Sequence, residues 1–138
     1  MEILGEIQKP ASIESLSSLM GFVENQIGMM QFRDEHRKNI CLAVEEALNN
    51  ILYHGDIDRG TDINIAFKLD NLGRFLIVIT DYGAPFNMLL SDVLPDEMKD
   101  SKKDRPAIST RIMKRVVKDI EYKRLENKNI LTFTIPRL

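Results

Sequence analysis

The sequence has a single cysteine and no hydrophobic run long enough to cross a membrane. Cys41 has no second cysteine for an internal disulfide, and its place in a helical pattern predicts that it packs as a small apolar side chain. No basic and then apolar leader opens the chain. We therefore expect a cytoplasmic protein without membrane contact.

Neither sign of charge dominates the composition. The chain has 19 Lys and Arg against 21 Asp and Glu, giving a net charge of -2. No basic stripe is present that could follow a phosphate backbone, so nucleic acid is not an expected partner. The 138 residues are 43% hydrophobic and contain no internal repeat. This size and composition predict one domain that spans residues 1–138.

The spacing of apolar residues predicts the element order β, α, α, β, β, irregular, α, β, β. The predicted strands are 3–7, 63–69, 75–79, 120–125 and 130–135, and the predicted helices are 13–27, 34–54 and 108–120. Ser12 and Asp34 are the expected N-caps of the first two helices, and Gly55 can close the second. The turn before the last strand is expected at residues 127–129.

This order of elements indicates a fold class. Most strands are joined by hairpins, and the helices are collected elsewhere in the chain. Such an arrangement favours an α+β protein, a two-layer sandwich in which helices cover one face of a mixed, mostly antiparallel sheet.

The second predicted helix carries polar side chains in one line. Glu46, Asn50 and His54 lie four residues apart, at the border of the apolar stripe. Asn50 could offer its amide oxygen to Mg²⁺, and Glu46 could accept a proton from a group aligned with a terminal phosphate. The helix also fits a water-facing surface, and His54 fits a helix cap, so the helix alone leaves both interpretations open.

A second candidate segment follows the most apolar strand. Asp81 closes that strand, where an unpaired charge is costly, and it could accept a hydrogen bond from the exocyclic amine of adenine. Gly83 permits the close backbone approach that a flat ligand needs. The same segment also fits an ordinary turn, although the two segments together are more specific than either.

Two motifs resemble those of a known superfamily. The segment Leu42 to His54, which contains Glu46 and Asn50, is similar to the N box of GHKL (histidine kinase-like, or Bergerat) ATPases, in the form carried by anti-sigma factor serine/threonine kinases. The segment Asp81 to Phe86 resembles the G1 box of the same group. The similarity covers nearly the whole chain.

The resemblance implies a helix-layered sheet that binds ATP and Mg²⁺. It implies Glu46 as the general base, Asn50 as the Mg²⁺ ligand, and Asp81 with Gly83 as the adenine contact. Such kinases phosphorylate a serine of an anti-anti-sigma-type antagonist protein and, in the other state of the switch, hold a sigma factor. Since many members dimerise, the resemblance also implies a homodimer.

One segment departs from the family pattern. Where the family carries a glycine-rich G2 box around the phosphates, this chain has Pro106 to Thr110, without glycine. Ser109 and Thr110 could still bind ATP through their hydroxyls, aided by the positive charges of Lys102, Lys103 and Arg105. The alternative is a catalytically silent module that binds a partner without turnover. A histidine kinase fits less well, because no helix pair with a phosphoacceptor histidine is present.

Overall fold

The computed structural model describes residues 2–54, 60–85 and 119–135. The elements in these ranges are β1 (Glu2–Pro10), a short 3-10 turn (Ile13–Ser15), α1 (Leu16–Gly28), α2 (Asp34–His54), β2 (Asp62–Leu69), β3 (Phe75–Asp81), β4 (Asp119–Leu125) and β5 (Lys128–Ile135). The predicted third helix as far as residue 118, the residues 102–110 and Gly55 lie outside the described residues, and Asp119 and Ile120, at the end of that predicted helix, begin β4 instead. Within the described part, no helix is both long enough and apolar enough to cross a membrane.

The five described strands form one sheet in the order β1-β2-β3-β5-β4. All four pairings between neighbouring strands are antiparallel. The strand β3, whose residues 75–79 are all apolar, lies in the middle of the sheet and pairs with β2 as a hairpin, as predicted. Together with the two helices, this arrangement confirms the α+β class.

The core lies between one face of the sheet and the helix pair. On β5 every second side chain is buried, and the apolar ones among them, Leu131, Phe133 and Ile135, belong to one cluster with side chains of α1 and α2. The cluster includes Val23, Val44, Ile51, Ile65, Ile79 and Phe133. The Phe22 ring packs edge-on against Phe67, with ring centroids 5.8 Å apart. This apolar layer fixes α2 over the sheet, because burial of such side chains is the main favourable term in folding.

The helix starts differ from the sequence prediction. Ser12 makes no side-chain capping hydrogen bond, and α1 begins only at Leu16, after the 3-10 turn. The carbonyl of Ser12 instead accepts the amide of Ser15 at 3.0 Å. Asp34 is the first residue of α2, and its carboxylate pairs with Arg37 one turn later. Local ion pairing and the tighter first turn therefore replace the expected caps.

All five described strands are longer than predicted, and the extensions of β1 and β5 have structural consequences. β1 continues through Pro10, which is tolerated because β1 lies at the edge of the described sheet, where one missing amide breaks no second ladder. β5 begins at Lys128, so the turn consists of Glu126 and Asn127, with Glu126 at a φ of 57°. The predicted turn at residues 127–129 is therefore wrong for Lys128 and Asn129, which lie inside the strand.

Candidate functional site

Two residues of the polar line on α2 are buried. Glu46 is 9% exposed and Asn50 is 0% exposed, whereas Glu45 and Lys38 face water. The interpretation of α2 as a simple water-facing surface is thus wrong for Glu46 and Asn50. Both lie at one border of the buried face, beside the apolar residues that contact the sheet. Burying a carboxylate and an amide in this position is costly unless hydrogen bonds, a paired charge or a metal ion compensate for the lost water.

Asp81 is the last residue of the central strand β3 and is 5% exposed. Its Oδ1 atom accepts two hydrogen bonds, one from the amide of Gly83 at 2.9 Å and one from Nδ2 of Asn129 at 3.0 Å. Within residues 2–54, 60–85 and 119–135, no donor bonds to its other oxygen, Oδ2. Asp81 therefore keeps one acceptor oxygen for a ligand.

The pKa of Asp81 is raised above its ordinary value. Desolvation by burial is the largest cause, and the hydrogen bonds from Asn129 and Gly83 and the positive charge of Arg124 oppose it. The surrounding donors thus favour the ionised carboxylate in a place where burial disfavours it.

This raised pKa predicts a pH dependence of stability. The folded state binds the Asp81 proton more tightly than the unfolded state does. Protonation of Asp81 therefore stabilises the fold fully below the pKa of the unfolded state, and this contribution is lost as the pH rises through the pKa of the folded state. The Asp81→Asn variant lacks this titration. Its free energy of unfolding, relative to the natural chain, should therefore rise with pH across the acid range. Urea unfolding of both proteins between about pH 4 and 7 measures this, and a pH-independent difference would contradict it.

Asn129 is a site residue that the sequence prediction missed. It lies on β5 directly opposite Asp81 in the strand pairing and is 5% exposed. Its Nδ2 atom also donates to the carbonyl of Ala84 at 2.9 Å. The available signal was its position: Asn129 occupies a buried-face position, in alternation with Leu131 and the apolar residues that follow. A polar residue in such a position usually has a fixed partner.

Two further side chains of the β4–β5 hairpin complete the network. The hydroxyl of Tyr122 donates to Oδ1 of Asn129 at 2.5 Å. Arg124 Nη1 donates to the carbonyl of Gly83 at 2.8 Å and lies 3.3 Å from Oδ1 of Asn129. The turn after β3 is therefore held to β4 and β5 by hydrogen bonds between residues about 40 positions apart in the sequence.

The donor set suits a nucleotide with Mg²⁺. The amide oxygen of Asn50 is a hard ligand of the kind that Mg²⁺ accepts, and this ion usually takes only one or two protein ligands together with phosphate oxygens. In the described residues, no group of three or more His, Cys, Asp or Glu side chains is placed to hold a metal. Such a site would therefore be completed by the ligand. The predicted ATP contacts Ser109 and Thr110 lie outside the described residues.

Solved structures show the same fold. The RsbU and RsbW domains of Rv1364c from Mycobacterium tuberculosis match with a TM-score of 0.64 at 12% identity, over 94% of this chain and 32% of that protein. A chain of the SiaB-SiaC complex from Pseudomonas aeruginosa matches with a TM-score of 0.63 at 11% identity, over 97% of this chain and 90% of that chain. The blue-light activated histidine kinase EL346 from Erythrobacter litoralis matches with a TM-score of 0.53 at 17% identity, over 88% of this chain and 41% of that chain.

These similarities establish the fold alone, and the chain spans about a third of the length of the Mycobacterium protein. Among curated proteins, no sequence matches the chain significantly. The sequence profile described as "Histidine kinase-like ATPase domain" matches residues 9–135, which is most of the chain and includes both candidate segments. The chain therefore belongs to the histidine kinase-like ATPase domain family.

Proposed function

We propose that this protein binds ATP with Mg²⁺ and transfers the γ-phosphate to a serine of an antagonist protein. The observation that carries the proposal is Asp81, a buried carboxylate with one oxygen held by the chain and the other left to accept a hydrogen bond. Family membership supports ATP as the ligand.

Each site residue has a role in this proposal. Oδ2 of Asp81 accepts from the exocyclic amine of adenine, and Gly83 lets the base approach the backbone. Asn50 holds Mg²⁺, which supplies charge neutralisation at the phosphates. Glu46 accepts the proton of the attacking serine hydroxyl, a task for which its buried position beside Asn50 is suited. Ser109 and Thr110 remain the proposed phosphate contacts.

The comparisons support the proposed kind of partner. The chain shares its fold with an RsbW domain and with the SiaB-SiaC complex, in which a protein of this fold is bound to a second protein. We infer for this chain a partner of the anti-anti-sigma type, with a sigma factor as the alternative partner in the other state of the switch. A homodimer and a cytoplasmic location belong to the same proposal.

A second candidate function is a catalytically silent module that binds the same kind of partner. The observation in its favour is the segment Pro106 to Thr110, which has no glycine where the family holds phosphates with bare backbone amides, and where Pro106 lacks an amide proton. The intact Glu46 and Asn50 favour the kinase.

Calorimetry and a transfer assay separate these candidates. The kinase proposal expects saturable binding of Mg-ATP to the full chain, and no heat at millimolar nucleotide would contradict it. Labelled ATP should then transfer phosphate to a serine-bearing antagonist protein encoded beside it. Nucleotide binding or partner binding without transfer supports the silent module, and transfer eliminates it.

The role of Asn50 can be tested through metal dependence. Natural protein should bind ATP more tightly with Mg²⁺ than in EDTA, and the Asn50→Ala variant should lose most of that difference, because the amide oxygen is the proposed ligand. Calorimetric titrations with and without Mg²⁺ measure the effect. Asn49→Ala, a change at the neighbouring half-buried position, serves as the matched control. An unchanged metal dependence in Asn50→Ala would remove Asn50 from the metal site.

A further inference from the structure

The β4–β5 hairpin fixes the orientation of one buried amide. The two ends of an asparagine amide have similar shape but opposite hydrogen-bonding character. Tyr122 donates its hydroxyl proton to Oδ1 of Asn129, and Arg124 approaches the same atom. This places Nδ2 toward Asp81 and the carbonyl of Ala84. A rotated amide would bring its oxygen against these acceptors and lose the Tyr122 hydrogen bond.

The same residues occupy the backbone acceptors of the turn. The carbonyl of Gly83 accepts from Arg124 at 2.8 Å, and the carbonyl of Ala84 accepts from Asn129 at 2.9 Å. Oδ1 of Asp81 is also occupied, by Asn129 and by the Gly83 amide. Among these four acceptor atoms, only Oδ2 of Asp81 receives no hydrogen bond from the described part of the chain. The network therefore leaves one defined acceptor at this end of the site.

We propose that Tyr122, Arg124 and Asn129 are positioning residues that direct Oδ2 of Asp81 to a single donor and thereby select a purine with a 6-amino group. The inference rests on the proposed function, because it concerns how the same site recognises its base. A 6-oxo purine would place a carbonyl oxygen against a fixed carboxylate oxygen, which is repulsive and leaves both without a donor. Burial raises the pKa of Asp81, and the hydrogen bonds from Asn129 and Gly83 and the charge of Arg124 oppose that shift.

A thermodynamic cycle tests the proposal. The dissociation constants of ATP and of purine riboside 5′-triphosphate, which lacks the amine, are measured with the full chain and with Asn129→Ala. In the natural chain the amine should improve binding by about 10-fold or more, as for a hydrogen bond to a charged acceptor. In Asn129→Ala the ATP affinity should fall by a similar factor, while affinity for the analogue should change by less than about 3-fold.

Two more conservative variants test the proposal independently of whether Asn129→Ala folds. Tyr122→Phe removes one hydroxyl, and Arg124→Lys keeps the positive charge but removes the planar group that reaches Gly83. Both should reduce the preference for ATP over the analogue, and Tyr122→Phe should also reduce the preference for ATP over GTP. Lys123→Met, an exposed neighbour on β4, is the matched control and should leave both preferences unchanged.

The outcomes are distinct. If a variant weakens ATP and the amine-free analogue equally, the three residues have a structural role only, and the proposal is wrong. It is also wrong if the variants bind both ligands as the natural chain does. A natural chain that binds neither triphosphate would overturn the proposed function itself, and the selectivity proposal with it.

Discussion

Asp81→Asn is expected to weaken Mg-ATP binding by about 10- to 150-fold, the range that corresponds to losing a hydrogen bond to a charged acceptor. The substitution preserves shape but replaces one carboxylate oxygen by an amide nitrogen. If this nitrogen takes the place of Oδ1, it meets the donors of Gly83 and Asn129. If it takes the place of Oδ2, it meets the amine of adenine. In either orientation two donors face each other.

Calorimetry with the full chain gives the affinities, and thermal unfolding in the absence of nucleotide shows that the variant is folded. Asp119→Asn is a suitable control, since it makes the same chemical change at an exposed position of β4. The control should bind Mg-ATP as the natural chain does. Equal affinity of Asp81→Asn and the natural chain would show that the base is not held by this carboxylate.

Glu46→Gln should slow phosphate transfer by about 10²- to 10⁴-fold, the usual contribution of a general base. The glutamine keeps the volume of the buried side chain but cannot take the proton of the attacking hydroxyl. Affinity for Mg-ATP should change by less than about 3-fold, because the proposed role is in the transition state and not in ground-state binding. Single-turnover transfer to the antagonist protein separates the two quantities.

The neighbouring residue supplies the control for this experiment. Glu45 has the same side chain one position earlier on α2 but is exposed to water. Glu45→Gln should therefore transfer phosphate at the natural rate. Full transfer activity in Glu46→Gln would exclude Glu46 as the base, whereas loss of nucleotide binding would indicate a role in holding the ligand.

The elements that frame the site could be predicted from periodicity. The alternation along β2 and the apolar run of β3 placed both strands correctly, and the helical spacing identified α2 with Glu46 and Asn50 at its border. These predictions succeeded because each depends on a short stretch of sequence in which buried residues recur at a single spacing, that of a helix or that of a strand. Whether the two polar residues were buried could not be decided, because the spacing places them between the apolar and the exposed sides.

The hairpin contribution to the site was missed for a different physical reason. Asn129 lies two residues after Asn127, and an asparagine in such a place is typical of a turn, since its side chain can form hydrogen bonds with nearby backbone. In the structure, pairing with β3 and β4 extends β5 back to Lys128 and places Asn129 opposite both Asp81 and Arg124. The strand register, which depends on contacts across the whole sheet, thus overrides the local preference.

The position of Asp81 within the β3–β5 pairing also links the site to global unfolding. Asp81 is the last paired residue of the middle strand, so the central β3–β5 ladder and the hydrogen bond from Asn129 place its carboxylate. Amide protons of this ladder should exchange with solvent only through global opening, as is usual for core strands. A nucleotide bound here would slow their exchange throughout the sheet. The factor grows with the ratio of the nucleotide concentration to its dissociation constant. Hydrogen exchange far from the ligand would therefore report its occupancy.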